Sequence, residues 1–126
     1  MKRLIIDLDG TLTQADTSDY KNVKPYYEVI EKLHKYKNDG FEIVICTARN
    51  MRTYKNNVGK INIFTLPTII EWLDRYEVPY DEIIVGKPWC GREGFYVDDR
   101  AIRPSEFTSL SLEEINKLIE NEKICS

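Results

Sequence analysis

Lys2-Arg3-Leu4-Ile5-Ile6-Asp7-Leu8-Asp9-Gly10-Thr11 is the stretch on which the reading of this 126-residue chain turns. Its apolar half, rich in Ile and Leu and closed by acids and glycine, predicts a short buried strand over Lys2 to Leu8. Side chains alternate along a strand, so Asp7 and Asp9 fall on one side, and Gly10 is free to turn the backbone away. Two carboxylates facing one small volume repel. Either a cation neutralises them or one keeps its proton, and both outcomes suit phosphoryl transfer. Asp and Gly are also ordinary turn residues, so the pair alone has an equally good structural explanation. Adding Thr11 changes the balance, because four specified residues of ordinary abundance coincide at only about one position in 10⁵.

Further strands are expected at Phe41 to Cys46, Ile83 to Val85 and Phe95 to Val97, all read as buried on both faces. Helical spacing appears from Pro25 through Tyr26, Val29, Ile30 and Leu33 to a stop at Gly40, and again over about Pro67 to Tyr76. The final helix carries Ser111 and Glu114 as a capping box and Leu110 with Ile115 as a staple. Strands alternating with helices predict an α/β fold: one Rossmann-like domain over 1–126, with a parallel sheet covered by helices on both faces. Ligands in such sheets bind beyond the carboxyl ends of the strands.

The other strand ends carry matching chemistry. Cys46-Thr47-Ala48-Arg49 presents a hydroxyl and a guanidinium, either able to hold a phosphate oxygen; the plainer readings are a local backbone cap and a solvated charge. Gly86-Lys87-Pro88-Trp89 offers an ammonium, and Asp98-Asp99-Arg100 places adjacent acids where a hard cation would use them. Each signal is weak singly; together they form a site. Trp89 reads as packing more readily than as a sugar-stacking ring, and His34, on the side of the first helix, has no catalytic role.

Composition narrows the class. Charged residues are 31%, apolar residues 42% and the net charge −3, which indicates neither nucleic-acid nor membrane binding. The apolar run after Met1 is far shorter than the roughly 7 to 15 residues of a signal peptide, and nothing approaches the roughly 20 of a membrane span. Cys46, Cys90 and Cys125 lack a C-x-x-C spacing, so no disulfide framework or zinc site is indicated and a cytoplasmic location is expected.

Asp7-x-Asp9-Gly10-Thr11, Thr47, Lys87 and Asp98-Asp99, in this order, resemble the four motifs of the haloacid dehalogenase superfamily. The short length and the Cys46-Thr47-Ala48-Arg49 and Val97-Asp98-Asp99-Arg100 segments are similar to its small capless capsule polysaccharide biosynthesis phosphatases. The resemblance implies a Mg²⁺-dependent phosphatase with Asp7 as nucleophile and Asp9 as the acid, then base. Thr47 and Lys87 would be phosphoryl holders, with Gly10, Ala48 and Arg49 completing the substrate contacts. Asp7, Asp9, Asp98 and Asp99 would form the metal set. It implies a small phosphorylated metabolite as substrate, a sugar phosphate or capsule precursor ahead of a nucleotide monophosphate. Too little chain lies between Thr11 and Pro25 for a folded cap, and helices take up most of Arg49 to Ile83. The site is expected to be open; the resemblance implies either large substrates or a neighbouring subunit as the lid, and a homo-oligomer is expected.

Two other classes fit less well. A receiver domain uses similar residues around Mg²⁺, but carries its acid pair first and its phosphate acceptor mid-chain, and lacks an equivalent of Asp9. A phosphate-binding scaffold that lost turnover would be expected to lose a motif position, and none is missing.

Overall fold

The computed structural model describes residues 1–14 and 19–122, which form two compact units, 1–89 and 90–126. The first unit is built on a parallel sheet of β1 (Arg3–Ile6), β2 (Glu42–Thr47) and β3 (Glu82–Val85) in the order β1-β2-β3. Arg3 to Ile6 pair with Glu42 to Ile45, and Val44 to Thr47 pair with Glu82 to Val85. The chain therefore forms the expected α/β architecture with a parallel sheet.

Helix α1 (Tyr27–Asn38) buries Val29, Ile30, Leu33 and Tyr36, the face expected from the spacing, and Gly40 follows it at a φ of 92°. Two helices, α2 (Val58–Phe64) and α3 (Leu66–Arg75), stand between β2 and β3. Ile43, Val44 and Ile45 of the central strand are fully buried, as are Leu33, Ile61, Ile69 and Leu73 from the helices. Trp72 seals this core with its indole N–H donated to the Val23 carbonyl at 2.8 Å. Asp81, just before β3, accepts from the Ile43 N–H and from Lys37, tying strand and helix at the amino end of the sheet. The pairing holds the Asp81 carboxyl below the usual carboxylate range, Lys37 contributing most.

The second unit contains α4 (Pro104–Ser109) and α5 (Leu112–Glu120), with Phe107 and Ile115 as its buried apolar residues. The capping box forms as its sequence dictates: Glu114 N–H donates to Ser111 Oγ, and Ser111 N–H to Glu114 Oε1. Helix α4 has a weaker signature, Pro104 at its first turn and Glu106 accepting from the Arg103 N–H, and was not anticipated from the sequence.

Three expectations are corrected. β1 stops at Ile6 rather than Leu8, because the Leu8 carbonyl accepts the N–H groups of Thr11, Leu12 and Thr13 and so closes a tight loop. Burial on both faces holds for β2 only; Ile5 in β1 is 61% exposed. Residues 95–97 form no strand: among the described residues the sheet has three. Aromatic and β-branched residues favour a strand only where a ladder partner exists.

Candidate active site

The loop after β1 is built around apolar anchors. Leu8 and Leu12 are buried and pin the turn from below, while Gly10 takes a φ of 85°, a left-handed conformation that side chains disfavour. Gly10 N–H donates to the Thr13 carbonyl at 3.0 Å, closing the loop over the sheet edge. Asp7 and Asp9 are thus presented by the loop instead of by strand alternation. Each keeps a side chain about one-third exposed.

Each carboxylate has its own set of donors. Asp7 accepts from the Thr11 hydroxyl at 3.1 Å through Oδ2 and from Lys87 Nζ at 3.4 Å through Oδ1. Lys87 is delivered by β3 and Gly86: its N–H donates to the Thr47 carbonyl, carrying the sheet pairing one step past the strand. Gly86 has a φ of 88°, and a Cβ there would approach Val58 to 2.9 Å, so the position favours glycine twice. Asp9 accepts from Thr13 at 3.4 Å and, through both oxygens, from Arg49 at 3.0 Å and 2.7 Å.

Arg49 is not the solvated charge of the plainer reading. Its side chain is only 1% exposed, its guanidinium lies over the Tyr20 ring at 4.2 Å, and it forks onto Asp9. A planar guanidinium suits such a bidentate clamp where lysine would not. One nitrogen, Nη1, is buried with no hydrogen-bond partner. A buried unmet donor is costly, so a position that keeps one invites an acceptor. Arg49 also lines a cavity of about 300 Å³ together with Asp19, Lys21, Asn50, Thr65 and Thr68.

Thr47 ends β2 with its hydroxyl oxygen accepting the Arg49 N–H at 3.0 Å, the local cap that its residue type allows; the hydroxyl proton is still available to an incoming oxygen. Ala48 is half-buried, its carbonyl accepting from the Met51 N–H in the turn that follows. Burial pushes the Cys46 thiol up; the nearby Lys87 charge pulls it down and Asp7 pushes it up, both more weakly. His34 donates from Nε2 to the Glu77 carbonyl at 2.8 Å, and the Trp89 ring centroid lies 5.8 Å from the Arg52 guanidinium.

Asp7, Asp9, Thr47, Arg49 and Lys87 therefore come together in the first unit. Asp98 and Asp99 belong to the second, where both are exposed and Asp98 accepts from the Arg100 N–H at 2.8 Å. Among the described residues no three His, Cys, Asp or Glu side chains gather closely enough to form a metal cluster. Sequence reasoning missed Thr13, Tyr20 and Asn50. Thr13 sits two residues beyond the Asp-x-Asp-Gly-Thr run, and Tyr20 and Asn50 carry no signal of their own.

Comparison with known proteins shows the family. Residues 4–71, more than half of the chain, match the family model described as haloacid dehalogenase-like hydrolase. The chain belongs to this family. It is thus a hydrolase by family. A crystal structure of a structural-genomics target from Vibrio cholerae is 72% identical, covers 98% of this chain and 100% of its own, and superposes with a TM-score of 0.96. No curated protein matches the sequence. Among the described residues, no helix is long and apolar enough to cross a membrane.

Proposed function

We propose that this haloacid dehalogenase-like hydrolase is a Mg²⁺-dependent phosphomonoesterase that works through an aspartyl-phosphate on Asp7. The observation that carries the reading is the held but accessible Asp7 carboxylate, fixed by Thr11 and Lys87 with Asp9 two residues away. The donor set is all oxygen, and the part-exposed Asp7 carboxylate fits Mg²⁺, which takes one or two carboxylates and fills its shell with water and phosphate oxygens. The Asp7 carboxylate and the main-chain carbonyl of Asp9 would hold the ion. Bound there, it would offset the charge of the phosphate.

The residues then divide the work. An Asp7 oxygen attacks phosphorus, the ester P–O bond breaks, and Asp9 gives its proton to the departing alkoxide oxygen. In the second half Asp9 removes a proton from water, whose oxygen attacks phosphorus and returns Asp7 as a carboxylate. Lys87 and the Thr47 hydroxyl balance the charge on the non-bridging oxygens. Arg49 occupies both oxygens of Asp9, so one contact must open before Asp9 donates; the clamp sets where that proton points.

The substrate reading is a phosphorylated sugar or capsule polysaccharide precursor. The cavity beside Arg49 supports it, since hydroxyl, amide and ammonium groups line it. Release of phosphate from p-nitrophenyl phosphate over many cycles, abolished by chelator and restored by Mg²⁺, is the expected result; one stable phosphate per chain would indicate a receiver-like switch instead. A panel of sugar phosphates and nucleotides then ranks substrates, and a preference for nucleotides would overturn the sugar reading.

A further inference from the structure

Arg49 reaches Asp9 from the turn that follows β2, and that turn is fixed on both sides of the residue. The Arg49 N–H donates to the Thr47 hydroxyl at 3.0 Å, and the next residue, Asn50, takes a φ of 62°, a left-handed conformation that asparagine tolerates better than most side chains. Such a conformation persists where the surroundings enforce it. Here the Asn50 carbonyl accepts the Tyr54 N–H at 3.0 Å, and its side-chain amide donates to Thr53 Oγ1 at 3.1 Å. Its Oδ1 accepts the Thr65 hydroxyl at 2.8 Å, a bond that ties the turn to the start of α3, 15 residues on.

Thr65 is the single residue between α2 and α3, and a threonine at a helix start ordinarily spends its oxygen on the N–H groups of the first turn. Asn57 does this for α2, accepting the Lys60 N–H at 3.1 Å. Thr65 does not: its backbone stays in the helical region, with φ −110° and ψ −44°, and its side chain makes no capping bond. The hydroxyl proton goes to Asn50 instead. We infer that Thr65 and Asn50 are positioning residues for the acid: through the turn they hold the Arg49 fork on Asp9, and so aim the proton that Asp9 delivers to the leaving oxygen. The path is short, since Asn50 follows Arg49 directly and Arg49 donates to both oxygens of Asp9 at 3.0 Å and 2.7 Å. Both residues also line the cavity assigned above to the sugar, so the groups that would meet the substrate also aim the acid. The hold on Arg49 stands on these hydrogen bonds alone; its catalytic consequence rests on the phosphatase reading above.

Dependence on the leaving group separates this role from plain stiffening of the loop. Phenyl and p-nitrophenyl phosphate have nearly the same shape, but p-nitrophenolate is a stabilised anion that departs without a proton, whereas phenolate gains from one. Thr65→Val keeps the shape and removes the hydroxyl; Asn50→Gly keeps the left-handed backbone and removes the acceptor. Each should slow turnover of phenyl phosphate about 5- to 10-fold more than that of p-nitrophenyl phosphate, and Thr65→Ser should bring the ratio back toward wild type. A second readout on the full chain needs no turnover. The Arg49 Nε–H resonance, identified by its absence from Arg49→Lys protein, should exchange faster or vanish in Thr65→Val and Asn50→Gly and persist in Thr65→Ser. Equal slowing of both esters overturns the catalytic role, as does an unchanged ratio. An Nε–H signal untouched by both substitutions overturns the hold itself. Wild-type protein that hydrolyses neither ester overturns the phosphatase reading, and the resonance then decides the hold by itself.

Discussion

Leu4-Ile5-Ile6-Asp7-Leu8-Asp9 and Phe95-Tyr96-Val97-Asp98-Asp99 read almost alike, an apolar run that ends in two acids, yet only the first becomes a strand with an organised carboxylate pair. The difference is in what surrounds each. β1 has β2 to pair with, Leu8 and Leu12 anchor its loop, and Thr11, Lys87 and Arg49 donate to its acids. The later segment has no ladder, and Asp98 only caps the backbone of Arg100. A propensity for strand becomes a strand only when another backbone completes it, and a pair of acids becomes a site only when donors arrive from other elements.

The largest effect should come from Asp7→Asn, which removes the attacking oxygen and should lower phosphate release at least about 10³-fold, with no loss of melting temperature; full activity would remove the basis for treating the first acid pair as special. Next in size is packing. Leu12→Ala empties a buried position beneath the loop and should cost about 3 kcal/mol in urea unfolding at any protein concentration. Val97→Ala, in a segment that pairs with no strand, should stay within about 0.5 kcal/mol. Equal costs for the two substitutions would erase the contrast between the two regions.

Arg49→Lys keeps the charge but loses the fork on Asp9, and should slow turnover about 10-fold while unsettling its pH profile more than substrate binding. The smallest effect belongs to Asp81, an acid that serves only the sheet. Its carboxyl is held low in the folded chain by Lys37 and the Ile43 N–H, so its stabilisation is present above the ordinary carboxylate range and fades as pH falls through the lowered folded value. Asp81→Asn should therefore flatten the acid side of a thermal-stability profile and leave activity at neutral pH unchanged.

Much of the molecule was legible because the signals were local. The spacing of Val29, Ile30 and Leu33, the Ser111–Glu114 box and the turn at Gly10 act within a few residues, and each forms as read. Lys87 was legible for a related reason, since a parallel strand delivers whatever follows its carboxyl end to a known edge. The full extent of β1 was not, because the carbonyl that ends it is claimed by three N–H groups further along.

By itself, then, the sequence determined the parallel α/β pattern, the family and the positions of Asp7, Asp9, Thr47 and Lys87, because periodicity and capping depend on neighbours in the chain. Only the tertiary structure decided that Arg49 is a buried clamp on Asp9 forty residues away, that the same residue lines a cavity, and that Phe95 to Val97 forms no strand. Those outcomes depend on which distant groups supply a partner, and hydrogen-bond satisfaction across the fold is not a property of any short window of residues.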